Sequence, residues 1–411
     1  MNGNCFVHKI SLSPNDVLFF KDSRPMTGAS HGIGNRLPLP HTFNGAMRDA
    51  LCDSSVDRRA AEGLLTVGPF MERANEVYVK TPSDILCDGD SYTLLTPSKS
   101  DCKTSLPSAL SLLVSDAKPS KRKTGEFISA SAFLRYLGGT MPTPEDFADF
   151  SDFCSDENYI GIKVDTEKSV AEDGMFFSKT TLRMRRGSKI SGYAKLVNRK
   201  TKEDLLAGKV SSSRDIRFGG EGGMCKMEFL PADEINLPYG ASITSPRVKF
   251  VLLTPAVFIA EEGCCGGWQP NWIRFDGVLN QYGVKLLDGP GEAKAKRLRV
   301  PVGRPINARL VAVRMEKPLC IGGWGGGSAD AKRPSGAKSS LLAVPAGSVY
   351  YFEADSVESA NSLADALNWH GVNRGDGSDR RDFVNLRSAL LGEKGYGIGV
   401  CGNWDYYKGE I

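Results

Sequence analysis

The sequence predicts an α+β fold, because segments with strand character outnumber helical segments and each predicted helix stands alone between strands. The chain has 411 residues, enough for two or three domains with a substantial buried core. Its 52 basic and 48 acidic side chains give a formal net charge of +4, which excludes a highly charged disordered chain. No apolar run approaches the roughly 18 residues of a membrane helix, so no membrane partner is expected.

The predicted elements follow from apolar periodicity and from turn residues. The first helix has apolar residues at i, i+3, i+4, i+7 and i+8 from Phe43, with Thr42 as its N-cap. In chain order we expect a strand at 6–12, a loop at 21–40, this helix at 42–52, strands at 64–67 and 77–79 separated by a turn at 68–69, a surface insertion at 98–125, a helix at 129–137, strands at 160–164, 189–197, 248–259, 306–315 and 348–353, and a helix at 361–370.

We place a domain boundary near residue 245, which divides the chain into an N-terminal domain over 1–245 and a C-terminal domain over 246–411. Charge is unevenly distributed within these parts. Residues 179–202 carry nine basic and no acidic side chains, whereas 144–178 carry ten acidic and two basic ones. This segregation favours a face that binds a polyanion and a separate acidic face, although a scattered solvated surface is the plain alternative.

The ten cysteines predict neither metal binding nor disulfides. None forms a closely spaced pair of the zinc-binding kind, and the four histidines do not flank them at ligand spacing. The N-terminus has no signal-peptide pattern, so we expect reduced thiols in a cytoplasmic protein.

Four aspartates at 146, 149, 152 and 156 alternate with phenylalanines and predict a solvated helix face. We expect no metal and no cofactor.

Three glycine motifs imitate cofactor or catalytic loops but lack the flanking structure that such loops need. Residues 27–34 match the cofactor loop of short-chain dehydrogenases, and Tyr159 and Lys163 match the spacing of their catalytic pair. Residues 28–32 also fit a nucleophile elbow, and 397–402 fit a dinucleotide-binding pattern. No strand–loop–helix context surrounds them. An oxidoreductase therefore remains a minor alternative.

The other glycine-rich loops contain aromatic or basic residues, at 219–223, 266–268, 322–327 and 392–402. Glycine permits close approach of the backbone to a phosphate, and tryptophan and tyrosine rings stack on bases. Turns and tight packing are the plain explanation of any single loop. Together with the basic stretches, the loops favour a nucleic-acid-binding protein.

Short segments in order along the chain carry a resemblance to a known family: 14–25, 38–48, 68–70, 161–165, 218–222, 253–256, 267–270, 322–324, 345–352 and 395–397. Together they resemble the family of third subunits of the Cmr complex, the type III-B CRISPR effector. The loop Gly219-Gly220-Glu221-Gly222 belongs to the series, but Gly223 replaces the family's basic residue and Gly325 replaces its usual acid after Gly-Gly-Trp.

The resemblance implies a RAMP-superfamily protein with two ferredoxin-like, RRM-related domains, insertions and a late glycine-rich loop. It implies a non-catalytic scaffold that holds the 5′ handle of the crRNA, and that docks the large polymerase/cyclase-like subunit and an adjacent backbone RAMP subunit. The acidic segment 144–178 is a candidate docking face. With the spacing of basic residues and loops, the resemblance gives these candidate RNA-binding residues: Lys21, Arg24, His31, Asn35, Arg36, His41, Thr42, Asn44, Arg48, Arg183, Arg185, Arg186, Lys189, Gly219, Gly220, Glu221, Gly222, Trp268, Trp324, Gly395, Tyr396 and Gly397.

The main alternative is a metal-independent RAMP endoribonuclease that processes guide-RNA precursors. His31 or His41 would then act as the general base, with a lysine or tyrosine steadying the scissile phosphate. Nothing in the sequence excludes this activity. We also expect the helix at 42–52 to present free backbone N–H groups toward RNA.

Overall fold

A computed structural model of the chain describes its fold over most of the sequence. The described residues are 7–21, 31–32, 37–52, 61–88, 91–98, 105, 107, 109–115, 124–165, 167–198, 200–209, 213–231, 235–261, 264–325, 336–371 and 382–405. Strands in mostly antiparallel sheets, with few helices, make up this part of the chain, so the α+β class is confirmed in its general form.

The first large sheet, here the N-terminal sheet, has eight strands within the described residues. Its four longest strands lie side by side, and each pairs antiparallel with its neighbours in this group. Across the sheet, they are the second, third, first and fourth of the four in chain order. From one edge to the other the strands are Phe147–Ala148, Phe127–Ser129, Glu76–Lys80, Leu65–Arg73, Ser188–Lys195, Val7–Pro14, Met224–Pro231 and Ser213–Arg217.

The helix Pro40–Cys52 covers one face of this sheet. Its buried Phe43 and Met47 pack in a cluster with Ile10 and Ile190 of the sheet. Proline suits the first helical position, since its ring fixes a helical φ and no N–H is needed there. The helix therefore begins two residues before the predicted start, and Thr42 is not the N-cap.

The second large sheet, here the C-terminal sheet, has six strands within the described residues. The helix Val357–Leu367 follows one central strand, and the Ser356 hydroxyl caps it by accepting a hydrogen bond from Ser359 N at 3.1 Å. In spatial order the strands are Ile273–Asp276, Gln281–Val284, Ala308–Arg314, Val349–Ala354, Arg247–Leu252 and Gly399–Asn403.

The two large sheets share one apolar core. Val67 and Tyr193 of the N-terminal sheet belong to the same buried cluster as Val251 and Tyr351 of the C-terminal sheet. Apolar side chains that come from both sheets and exclude water together hold the two halves against each other. The N-terminal sheet ends at Pro231 and the C-terminal sheet begins at Arg247.

A long hairpin, formed by Cys154–Asp165 and Val170–Met184, lies outside the two large sheets. Within the described residues it pairs with His31–Gly32, which runs parallel to Ser178–Lys179, and its Leu182 forms an antiparallel bridge with Leu18. The remaining strands are Ile85–Asp88, Ser91–Leu94, Thr96–Ser98, Leu112–Val114, Leu319–Ile321, Trp324–Gly325, Gly336–Ala337 and Leu341–Ala343. The remaining helices are Ala130–Leu137, Phe150–Phe153 and Glu292–Leu298, with short 3₁₀ turns at Pro144–Asp146, Ala207–Lys209 and Gly392–Lys394.

Two predicted local features are wrong. Gly68-Pro69 is not a turn, because strand Leu65–Arg73 continues through it and turns back at Ala74-Asn75. An irregularity opposite, between Ser191 and Tyr193, accommodates the proline, which cannot donate to a ladder.

The predicted aspartate helix face is also absent. Asp146 and Asp149 cap two separate short helical turns, and Asp156 lies in the long hairpin. Side-chain acceptors favour such caps over helix interiors, and the intervening Phe150 and Phe153 are buried.

Candidate nucleic-acid interface

The start of helix Pro40–Cys52 lies against the late glycine-rich loop, 355 residues further along the chain. His41 Nδ1 is 2.7 Å from the hydroxyl oxygen of Tyr396, and the two rings stack with their centroids 6.2 Å apart. Tyr396 is fully buried, so its hydroxyl fixes the orientation of the His41 imidazole. Two of the predicted site residues are thereby brought together.

Lys394 and Lys338 act electrostatically on His41, and Arg48 acts on Lys394; we call Arg48, Lys338 and Lys394 the basic cluster. Burial lowers the pKa of His41 to about 4, and the positive charges of Lys394 and Lys338 contribute. Burial also lowers the pKa of Lys394, and Lys338 and Arg48 lower it further, against the opposing effect of Glu393. Cations that depress one another's pKa lie close together and repel. A bound phosphate would relieve this repulsion.

The helix start offers fewer free N–H groups than the sequence predicts. Thr42 N and Phe43 N both donate to the Leu39 carbonyl, at 2.9 and 3.2 Å. Pro40 has no N–H to offer. These three positions therefore provide no backbone donor to an anion, which leaves a larger share of the attraction to the cationic side chains.

Asn44 is a structural residue of the helix. Its side chain is 2% exposed and donates to Thr66 Oγ1 at 3.1 Å and to the Leu64 carbonyl at 3.3 Å. Thr66 lies in strand Leu65–Arg73, against which the helix packs, and Leu64 immediately precedes that strand. We therefore leave Asn44 out of the proposed RNA contacts, whereas Thr42 and Arg48 are partly exposed.

Gly395 and Gly397 allow the glycine-rich loop to pack closely against the backbone of other parts of the chain. Gly395 has a φ of +88°, and a Cβ there would lie 2.6 Å from the Thr66 carbonyl oxygen. Gly397 has a φ of +78°, and a Cβ there would lie 2.2 Å from Ser388 N. Close packing of this loop against the chain explains both glycines, while the predicted phosphate contact remains a prediction.

The loop Gly219-Gly220-Glu221-Gly222 packs against the segment that follows the first strand. Gly220 N donates to the Phe19 carbonyl at 2.8 Å, and a Cβ on Gly219 would lie 2.7 Å from the same oxygen. The Glu221 carboxylate forms an ion pair of 3.1 Å with Lys179 of the long hairpin. The loop therefore contacts both the segment around Phe19 and the long hairpin at Lys179.

The predicted basic loop enters the same place. His31–Gly32 pairs with Ser178–Lys179, and the exposed Lys21 ends the segment that contains Phe19. Lys179 Nζ lies 5.9 Å from the ring centroids of both Phe19 and Tyr159. Three other predicted site residues, Arg24, Asn35 and Arg36, lie outside the described residues.

The basic stretch of the hairpin is partly neutralised within the protein. Arg183 forms ion pairs with Glu157 and with Asp16, the latter at 2.9 Å, and these bonds raise its pKa. Arg185 donates to the Ser151 carbonyl, and Arg186 is exposed. Only part of the nine-residue basic excess is therefore available to an external polyanion.

Of the two tryptophans predicted to bind RNA, Trp268 and Trp324, the structure describes the side chain of Trp268 alone. Trp268 is half-buried, its ring meets Tyr282 edge-on at 5.5 Å, and its carbonyl accepts a 2.6 Å bond from Tyr350. The backbone of Trp324 pairs with Ala337, and its side chain lies outside the description.

Tyr159 and Lys163, which imitate a dehydrogenase pair, lie on a strand of the long hairpin. Positions four apart on a strand do not meet as they do on a helix.

Sequence reasoning missed Lys338 and Lys394 as site residues. Lys394 stands inside the glycine-rich stretch 392–402, so its position was a usable signal. Lys338 lies just after residues 293–333, which carry ten basic and two acidic side chains, and it comes to His41 only through the fold.

Two further observations concern the described part of the chain. It holds no group of three His, Cys, Asp or Glu side chains arranged to bind a metal ion. Its helices also lack the combination of length and apolar character needed to cross a membrane.

A family model of the CRISPR-associated protein Cas_Cmr3 matches residues 10–404. Among curated proteins, no sequence matches the chain. One similar solved structure is a cryo-EM structure of the type III-B Cmr-beta bound to cognate target RNA and AMPPnP, at 14% identity and a TM-score of 0.42, with 91% of this chain and 94% of the other covered. A second, of the type III-B Cmr-beta bound to cognate target RNA, has 15% identity, a TM-score of 0.41 and coverage of 91% and 95%. A Csm3–Csm4 subcomplex of the type III-A CRISPR–Cas interference complex has 10% identity, a TM-score of 0.34 and coverage of 85% and 94%.

Proposed function

Because the chain belongs to the Cas_Cmr3 family of CRISPR-associated proteins, we propose that it is a non-catalytic scaffold subunit of a cytoplasmic type III-B effector complex. In this role it holds the 5′ handle of the guide RNA. The observation that carries the proposal is the basic cluster, in which Lys394 and Lys338 act on His41 at the helix start and Arg48, further along the same helix, acts on Lys394. Repelling cations next to a half-buried imidazole attract a phosphate backbone.

The fold supports the RAMP assignment. In each large sheet, four strands have the antiparallel order second, third, first and fourth, which is the order of a ferredoxin-like sheet. In the C-terminal sheet these four strands are Ala308–Arg314, Val349–Ala354, Arg247–Leu252 and the edge strand Gly399–Asn403, with helix Val357–Leu367 as one crossover. We propose that the two sheets belong to the two RAMP domains, with the boundary near residue 245.

The long hairpin is the proposed docking element for protein partners. It carries most of the acidic segment 144–178 and exposes aliphatic side chains, among them Ile160, which is 74% exposed. Exposed apolar residues beside charges are typical of surfaces that become buried in an assembly. The large polymerase/cyclase-like subunit and an adjacent backbone RAMP subunit are the proposed partners.

The function is tested with purified full-length chain and guide RNA. Replacing Arg48 and Lys394 by Ala removes two phosphate-attracting charges, so we expect weaker binding and a salt dependence whose slope falls by about two. Lys226, an exposed lysine of the N-terminal sheet, provides the matched control, Lys226→Ala. Unchanged affinity and slope in the double variant would show that the basic cluster does not bind the RNA.

A second candidate function has one specific observation in its favour. The hydrogen-bonded His41–Tyr396 pair beside Lys394 has the residue types of a metal-independent ribonuclease. Incubation with repeat RNA in EDTA separates the two functions. Site-specific cuts that disappear in His41→Ala would establish the nuclease, and intact RNA would support the scaffold.

A further inference from the structure

An open cavity of about 280 Å³ lies beside the helix start, between the two halves of the chain. The N-terminal half contributes the residues before the helix and several strands of its sheet, and the C-terminal half contributes three loops. The lining includes Leu37–Pro40, Pro69–Met71, Tyr78–Lys80, Phe127, Phe150, Leu253–Pro255, Leu319 and Pro345–Ala346.

The walls of this cavity are apolar and partly flat. Phe70 and Phe127 are buried at its surface, and proline rings at 38, 69, 255 and 345 add flat aliphatic faces. Several of these residues belong to the segments that carry the family resemblance, at 38–48, 68–70, 253–256 and 345–352. Sequence reasoning gave the segments no common role, and the fold brings them to one space.

Polar groups also line the cavity. Lys80 and Glu126 form an ion pair of 3.5 Å, and both remain partly exposed. Glu316, Lys317 and Thr254 also line the space. The cavity therefore combines flat apolar walls with a few hydrogen-bond donors and acceptors, and apolar walls with a few polar groups are usual for sites that bind small ligands.

We propose that this cavity holds one unstacked base of the bound RNA, an inference that rests on the proposed RNA-binding function. Pro40 lines the cavity, and the next residue, His41, lies in the basic cluster. A nucleotide at the helix start would therefore place its phosphate at the cluster and its base in the cavity. Apolar and aromatic walls stack on a base, while Glu126 and Lys80 pair with its polar edge.

An apolar side chain of a partner protein is the competing occupant. Such a side chain would form neither hydrogen bonds with the Lys80–Glu126 pair nor ion pairs with the cations beside the helix start. A base and its phosphate can form both kinds of interaction, so the observations favour RNA.

The test uses the full-length chain and short RNAs that carry the 5′ sequence of its co-purified guide, each with 2-aminopurine at one position. We expect one position to change fluorescence on binding, and an abasic site at that position to weaken binding about tenfold or more. Ala346→Phe places a ring in the cavity and should abolish both effects. Leu37→Trp, at another part of the lining, is a second variant in case the first fails to fold.

Ala293→Phe is the control, because Ala293 is exposed on helix Glu292–Leu298. Two outcomes overturn the base-binding proposal while leaving RNA binding intact. In the first, the folded cavity variants bind RNA as well as wild type and keep the same fluorescence profile. In the second, they bind RNA normally but no longer co-purify with partner subunits, which would make the cavity a protein-docking site. Failure of the wild-type chain to bind the RNA would instead overturn the proposed function.

Discussion

Tyr351 of the C-terminal sheet donates a 2.9 Å hydrogen bond to the buried carboxylate of Asp84, a residue of the N-terminal half. Tyr136 donates to the same carboxylate at 2.8 Å. The buried Lys249 ammonium lies 3.9 Å from Asp84 Oδ2 and 3.7 Å from the centroid of the Tyr136 ring. Asp84 thus joins groups from both halves in a water-poor environment.

We predict that Asp84→Ala destabilises the chain by about 3–5 kcal/mol, because it removes the carboxylate that lies 3.9 Å from the buried Lys249 ammonium. Urea denaturation measures the change. Asp49→Ala, at an exposed helix position, should change stability by less than about 0.5 kcal/mol. In the double variant Asp84→Leu/Lys249→Met, the loss should be smaller than the sum of the losses in Asp84→Leu and in Lys249→Met, each measured singly. Additive losses would show that the two charges do not interact.

Two glycine substitutions should have opposite effects on stability. At Gly395 the positive φ and the nearby Thr66 carbonyl both oppose a side chain, so Gly395→Ala should lower the free energy of unfolding by at least about 1 kcal/mol. At Gly45, inside helix Pro40–Cys52, a Cβ would meet no atom within 4 Å. Gly45→Ala should therefore raise stability by about 0.5–1 kcal/mol. Thermal denaturation of the pair tests both signs, and a stable Gly395→Ala variant would show that the loop tolerates displacement.

The His41 imidazole should make folding stability depend on pH. Its pKa falls from an ordinary value of 6.5 to about 4 in the folded chain, so folding favours the neutral ring. This contribution is fully present above pH 6.5 and is lost as the pH falls toward 4. It amounts to at most about 3 kcal/mol, and to less because the ring is partly exposed. The difference in unfolding free energy between wild type and His41→Gln, measured from pH 7 to pH 4, should therefore shrink. A constant difference would contradict the pKa shift.

RNA binding at the basic cluster should be coupled to protonation of His41. A phosphate beside the imidazole favours its charged form, so binding raises the His41 pKa and takes up a proton. Affinity should then increase as the pH falls from 7 to 5, and His41→Gln should flatten this dependence. Tyr396→Phe, which removes the hydroxyl partner but not the imidazole, should retain it. An identical pH profile in wild type and His41→Gln would place the phosphates elsewhere.

Local patterns gave a good part of the fold. Apolar spacing from Phe43 to Leu51 predicted the first helix, and Ser129 and Leu137 bounded the second within one residue. These features depend on neighbours within a few residues, which sequence periodicity reports directly. The turn expected at Gly68-Pro69 failed because pairing with strand Ser188–Lys195 carries the strand through it. The aspartates between 146 and 156 failed as a helix face because each serves its own local cap or strand.

The sequence by itself determined the α+β class, several elements and the family resemblance, because these rest on local periodicity and on short ordered motifs. Only the tertiary structure decided the composition of the candidate site. It brought Lys338 and Lys394 to His41, paired Asp84 with Tyr351, and showed Asn44 to be buried. It also showed that Gly395 and Gly397 accommodate the protein's own backbone. The physical reason is separation along the chain: the partners of Asp84 and His41 lie 267 and 355 residues away and meet them through strand order and shared core packing, which no local pattern encodes.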